Sequence, residues 1–145
     1  MSVASSLRAA LLEALALKAL PRAGWLRVGV EGPESVAAHS WGVAWLVLAL
    51  CPPELERGRA LAIAVVHDLA EARVGDITPH DGVAAQTKHD LEAAALTDLT
   101  APFAHAAELR TLWDEYELGS TAEGRFVKAC DKLDMALQAA AYAAD

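Results

Sequence analysis

Cysteine is scarce in this chain. Cys51 and Cys130 are the only two in 145 residues, too few for a disulfide framework, and their surroundings read as reduced core or helix-end positions. Basic residues are outnumbered, with 12 Lys and Arg against 20 Asp and Glu and a net charge of -8. That balance argues against broad contact with nucleic-acid phosphates, which needs clustered cations. It leaves room for a small anionic substrate, because a few local arginines or a metal ion invert the field at one site. No apolar run approaches the roughly 20 residues of a membrane span. The opening "MSVASSLRAALLEALALKAL" has no long uncharged core and no clear cleavage site, since Arg8, Glu13 and Lys18 interrupt it. We read it as an amphipathic helix of the mature protein and expect a cytoplasmic location. No segment alternates apolar and polar residues with β-branched enrichment, so no sheet is expected.

What is present in quantity is apolar and helix-forming: 54% of residues are hydrophobic, largely alanine and leucine. A chain of 145 residues is expected to build one domain around one core. The punctuation predicts an all-α, compact bundle of about six helices. The first, capped by Ser5 or Ser6, ends before Pro21, and the Gly- and Pro-rich "PRAGWLRVGVEGPES" reads as a loop. Ser35 is placed to cap a second helix, Val36 to Leu50, stopped by Pro52 and Pro53. A third runs from about Glu54 to Arg73, followed by the loop "VGDITPHDG". Ala85 to Leu99 and Phe103 to Tyr116 give the fourth and fifth, and Thr121 to Ala143 the last, with Ser120 or Thr121 as cap.

The stretch "AIAVVHDLAEARVGDITPHDG" sets His67 and Asp68 directly behind an apolar face of Ile63, Val65 and Val66 that reads as buried. On one continuous helix Glu71 would share the face of His67 and Asp68. Buried carboxylates are costly unless paired or metal-bound, by several kcal/mol as an order of magnitude. His39, early in the second helix, and Asp131, in "FVKACDKLDMAL", also interrupt apolar stripes. Two imidazoles and two carboxylates suit a divalent ion such as Mn, Fe, Co, Ni, Mg or Zn, and a site with open positions turns bound water into a nucleophile near neutral pH. Trp41 and Trp45 are expected in the core, and Trp113 and Tyr116 are expected to pack the fifth helix on the bundle. His80, His89 and His105 are expected at the surface, with Asp81 as a turn residue. A second "HD", His89-Asp90, lacks the apolar approach and is read as a decoy.

A histidine opening one helix, "HD" in the next and a lone aspartate near the C-terminus resemble the HD-domain metal-dependent phosphohydrolases. "PESVAAHSW", "VVHDLAEARVGDITPHDG" and "LWDEYELGSTAEGRFVKACDKLDM" are similar, more closely, to the 5'-deoxynucleotidases of the HD domain-containing protein 2 type. The similarity runs from about Leu15 to Tyr142. An HD dipeptide alone is weak evidence; the three motifs together are specific.

The resemblance implies one divalent metal held by His39, His67, Asp68 and Asp131, with Glu71 orienting or deprotonating the attacking water. It implies either a second metal near Glu71, Asp76 and the backbone oxygen of Ile77, or a role for Asp76 on the substrate sugar. Trp25 would pack on that sugar, and Arg22 or Arg27 would grip phosphate, with Lys88 of "TKH" a further candidate. One bacterial branch has arginine immediately before the tryptophan, where this chain has Gly24; the "PRAGW" spacing suits the other branch. The implied reaction is hydrolysis of a deoxyribonucleoside 5'-monophosphate, and relatives suggest a homodimer. The alternatives are an HD hydrolase acting on another nucleotide and a non-catalytic helical binding module.

Overall fold

The structure, a computed structural model, describes residues 2–144. Its α-helices are α1 (Val3–Leu15), α2 (Ala23–Arg27), α3 (Val36–Leu50), α4 (Arg57–Val66), α5 (Glu71–Val74), α6 (Ala85–Thr100), α7 (Ala106–Leu118) and α8 (Ala122–Ala143). Short 3-10 turns occupy Ala16–Lys18 and Pro79–Asp81. Among the described residues the only β feature is an isolated bridge between Pro21 and Ser35. The all-helical expectation holds. The chain divides into two compact units, one of residues up to Ala37 with Asp68–Arg110, the other of Ala38–His67 with Thr111 onward.

In the first unit α1, α5 and α6 pack on one another. Ser2, rather than Ser5 or Ser6, caps α1: its hydroxyl accepts the Ser5 N–H at 3.1 Å, so the helix starts earlier than expected. Ala10, Leu17, Ala95, Leu96 and Leu99 are buried, and covering one leucine side chain contributes about 2 kcal/mol. Arg73 of α5 donates two hydrogen bonds, both 2.8 Å, to the Glu13 carboxylate of α1. The stretch after Pro21 is not all loop, for α2 forms inside it. Its reason is tertiary: the Asp76 Oδ2 accepts the Ala23 N–H at 2.8 Å, supplying a helix-start acceptor from 53 residues away. The segment is closed by the Val36 N–H on the Leu20 carbonyl, 2.8 Å, and the Arg22 N–H on the Glu34 carbonyl, 3.0 Å.

In the second unit α4 packs against α8 through small residues. Ala60, Ile63 and Ala64 of α4 and Gly124, Val127 and Cys130 of α8 are buried. Gly124 is required there, since a Cβ built on it would lie 2.2 Å from the Glu115 carbonyl oxygen. Thr121 caps α8, accepting the Gly124 N–H at 3.0 Å. Trp113 is wholly buried, as expected.

Two expectations fail here, both for angular reasons. Trp41 and Trp45 are 70% and 52% exposed, not core. His39, Val43 and Val47 form the buried stripe of α3, and a residue two positions on lies about 200° around the helix. Val65 is likewise exposed at 64%, because Ile63, Ala64 and Val66 take the inward positions of α4. The expected third helix, Glu54 to Arg73, is also two helices. It begins at Arg57, and its regular hydrogen bonding lapses after Val66.

Candidate metal centre

His39 and His67 stand at opposite ends of their helices: His39 in the first turn of α3, His67 as the residue that ends α4. Both are buried, at 1% and 2% exposure, and the ring centroids are 5.7 Å apart. Asp131 joins them from the middle of α8, its Oδ1 2.7 Å from the His39 Nε2. One ligand atom from each of His39, His67 and Asp131 lies within 4.8 Å of the others. Three donors from three helices of one unit, two nitrogens and an oxygen, fit a divalent cation of borderline character.

The partners of these side chains are specific. His67 donates its Nδ1–H to the Ala64 carbonyl at 2.6 Å, which competes with the helix's own next bond and helps explain why α4 stops there. The Nδ1 of His39 meets the Asp134 Oδ2 at 2.6 Å. The Tyr116 hydroxyl donates to the Asp131 Oδ2, and its ring lies 4.9 Å from that of His67. Burial pushes the Asp131 carboxyl up, but the His39 hydrogen bond, the His67 charge and the Tyr116 hydroxyl outweigh it. The net result is a carboxylate held well below its usual range.

Asp68 follows His67 in the chain, is half-buried and falls in the first unit. There Glu71, Asp76 and Arg22 form a second cluster with it. Glu71 is 5% exposed, and its carboxyl is pushed far up, chiefly by burial and then by the charges of Asp68 and Asp76; Arg22 opposes. Its Oε2 has no hydrogen-bond partner among the described residues. Ile77 lies half-buried one residue beyond Asp76. Glu71 and Asp68 are not on one regular helix as expected: the Glu71 N–H donates to the Asp68 carbonyl at 3.0 Å, a three-residue turn. Trp25 donates its indole N–H to Glu34 at 3.0 Å. Arg27 is tied to Asp81 and Thr78, at 3.3 and 3.4 Å, and Lys88 lies 3.4 Å from Glu92 on α6.

Asp134, and the contact of Tyr116 with the cluster, went unnoticed in the sequence. Asp134 carried a usable signal, being three residues after Asp131 on the same helix. Tyr116 carried none, since only the packing of α7 brings it to Asp131.

An all-helical fold with a buried histidine–histidine–aspartate cluster defines the class. The family model of the HD domain matches residues 14–145, and the chain belongs to that family. It is 42% identical over 132 residues to the 5'-deoxynucleotidase hdd1 of Schizosaccharomyces pombe, covering 87% of this chain and 67% of that one. To the human 5'-deoxynucleotidase HDDC2 it is 41% identical over 128 residues, covering 87% and 63%. The crystal structure titled a predicted metal-dependent phosphohydrolase from Magnetospirillum magnetotacticum superposes with a TM-score of 0.78 at 29% identity, over 95% of this chain and 72% of the other. The chain spans about two thirds of the length of the curated relatives it matches. Family and cluster together imply a divalent metal. Among the described residues no helix is long and apolar enough to cross a membrane.

Proposed function

We propose that this chain is a 5'-deoxynucleotidase, hydrolysing deoxyribonucleoside 5'-monophosphates to deoxyribonucleosides and phosphate. The observation that carries the reading is the buried cluster of His39, His67 and Asp131 with donor atoms within 4.8 Å, in a chain about 40% identical to proteins of that name. His39, His67 and Asp131 would hold the metal, with Asp68, adjacent to His67, as the fourth ligand. Bound there, a divalent cation supplies acidified water and charge stabilisation for phosphoryl oxygens.

The remaining roles belong to the chain's own groups. Glu71 orients the attacking water and takes its proton at a carboxylate oxygen. Asp76 either shares a second cation with Glu71 and the Ile77 carbonyl or binds the sugar; its bond to the Ala23 N–H supports a third task, fixing the segment that carries Arg22 and Trp25. Arg22, whose charge acts on Glu71, is the favoured phosphate group. Arg27 and Lys88 would first have to leave Asp81 and Glu92. Trp25 stacks on the sugar.

The test is phosphate release from deoxy- and ribonucleoside monophosphates, and from triphosphates, with Mn²⁺, Co²⁺, Mg²⁺ or Zn²⁺. Orthophosphate from the deoxy monophosphates is expected. Pyrophosphate from triphosphates alone, or no hydrolysis with any ion, would overturn the proposal.

A further inference from the structure

His39 is held from both sides. Its Nε2 faces Asp131 at 2.7 Å, and its Nδ1 meets the Asp134 Oδ2 at 2.6 Å. The Asp134 side chain is 15% exposed and the His39 side chain fully buried, so this contact is poorly reached by competing water. A carboxylate accepts and does not donate, so Nδ1 carries a hydrogen toward Asp134, and that bond turns the ring with its Nε2 toward Asp131 and the cluster. A carboxylate behind a metal-binding histidine fixes both the tautomer and the ring direction.

A separate observation points to the same contact. Gly42 lies one turn beyond His39 on α3, and a Cβ built there would be 2.2 Å from the Asp134 Oδ1 and 2.9 Å from its Cγ. The backbone of α3 therefore leaves a notch that Asp134 fills. Gly42 is helical and has no positive φ to require glycine. A glycine inside a helix costs about 1 kcal/mol relative to alanine, and the clearance offsets that cost.

We propose that Asp134 is the positioning residue for His39, holding its Nε2 toward the metal, and that Gly42 provides the space Asp134 needs. The inference rests on reading the cluster as a metal centre and adds two residues to it. Asp134 acts through His39 and touches neither substrate nor metal.

Cobalt titration of the full chain, followed by visible absorption, tests it. Asp134→Asn should weaken cobalt binding by about 10-fold and Asp134→Ala by up to about 100-fold, the range found for partners behind metal ligands. Nitrogen-15 NMR of the cobalt-free protein should find a hydrogen-bonded Nδ1–H on His39 in wild type, and that bond should be lost in Asp134→Ala. Gly42→Ala should weaken cobalt binding in the wild-type background and leave it unchanged in Asp134→Ala, because the clash partner is then gone. A general loss of folding would not produce that dependence on background. Wild-type affinity in Asp134→Ala, or the same Gly42→Ala penalty in both backgrounds, overturns the inference alone. Wild-type protein that takes no cobalt overturns the metal reading and this inference with it.

Discussion

The hydrogen bond from the His67 Nδ1 to the Ala64 carbonyl, 2.6 Å long, fixes Nδ1 as the donor of this imidazole. The acceptor is backbone, three residues back at the end of α4, so the ring is aimed by its own helix. Its Nε2 is then the nitrogen available to a cation. His67→Ala should abolish stoichiometric cobalt binding and lower nucleotide hydrolysis by more than about 100-fold, exceeding the loss of any supporting partner. Metal content after dialysis and phosphate release are the two measurements. Full activity in a variant that stays folded would end the metal reading of this cluster.

Tyr116 touches two members of the cluster at once, its hydroxyl on Asp131 and its ring against His67. Tyr116→Phe keeps the ring contact and removes only the hydrogen bond. Stability should fall by about 1 kcal/mol, the usual net value of one such bond. Cobalt affinity should fall by about 10-fold, since Asp131 loses a group that orients it. A change in the denaturation midpoint with unaltered cobalt affinity would assign Tyr116 to packing alone.

The helical architecture was legible because prolines and glycines punctuate the chain clearly, and because little in it favours strands. His39, His67 and Asp131 stood out as polar residues inside apolar stripes, and they do share one cluster. The face of α3 was not legible. Nearly every position from Val36 to Leu50 is apolar, so periodicity offers no contrast, and the four-residue spacing of Trp41 and Trp45 reads as core. The buried spacing of His39, Val43 and Val47 would have turned them outward. The helix α2 was hidden for another reason: its stabilising acceptor, Asp76, is remote in sequence. The break between α4 and α5 coincides with a ring-to-backbone bond that no residue pattern announces.

Arg59 and Glu115 form a two-point ion pair in the second unit, one bond being Nε to Oε1 at 3.0 Å. The Arg59 hydrogen bond is the main reason the Glu115 carboxyl sits below its usual range, against a smaller opposing effect of burial. Glu115 is 6% exposed at its side chain and Arg59 35%, so solvent screens one partner. Arg59→Met should therefore cost about 2 kcal/mol, less than the roughly 3–5 kcal/mol of a fully buried pair. The folded pKa lies below the unfolded one, so this stabilisation is complete above about pH 4.5 and is lost as pH falls through the folded value. Urea midpoints of wild type and variant should converge in acid. A gap that is constant with pH would mean the pair is not its source.

Glu71 runs the other way. Burial, then the charges of Asp68 and Asp76, raise its carboxyl from 4.5 to about 10. Between those values the unfolded chain ionises and the folded chain does not, so without a cation stability declines as pH rises through that window. Glu71→Gln removes the penalty. In chelator at pH 8 the variant should be the more stable protein, by roughly 1–3 kcal/mol, with the difference vanishing below about pH 4.5. The same variant should lose hydrolysis, a stability gained at the expense of activity. A Glu71→Gln variant less stable than wild type at pH 8 would show that the acid is satisfied as it stands.

Gly75 ends α5 with φ +81° and ψ 176°, a region closed to side chains. Its N–H still closes the last turn on the Glu71 carbonyl at 2.8 Å, and the reversal carries the chain directly into Asp76. Asp76 in turn receives the Ala23 N–H, so the conformation of one glycine sets both a carboxylate beside Glu71 and the start of α2. A Cβ at Gly75 would meet no neighbouring atom within 4 Å, so any penalty for alanine is conformational and not steric. Gly75→Ala should destabilise by about 1–3 kcal/mol. It should also raise KM for the nucleotide more than Ser2→Ala, which removes a cap of comparable value at the far end of α1. Equal KM values in the two variants would detach the Gly75 turn from substrate binding and leave it as a helix stop only.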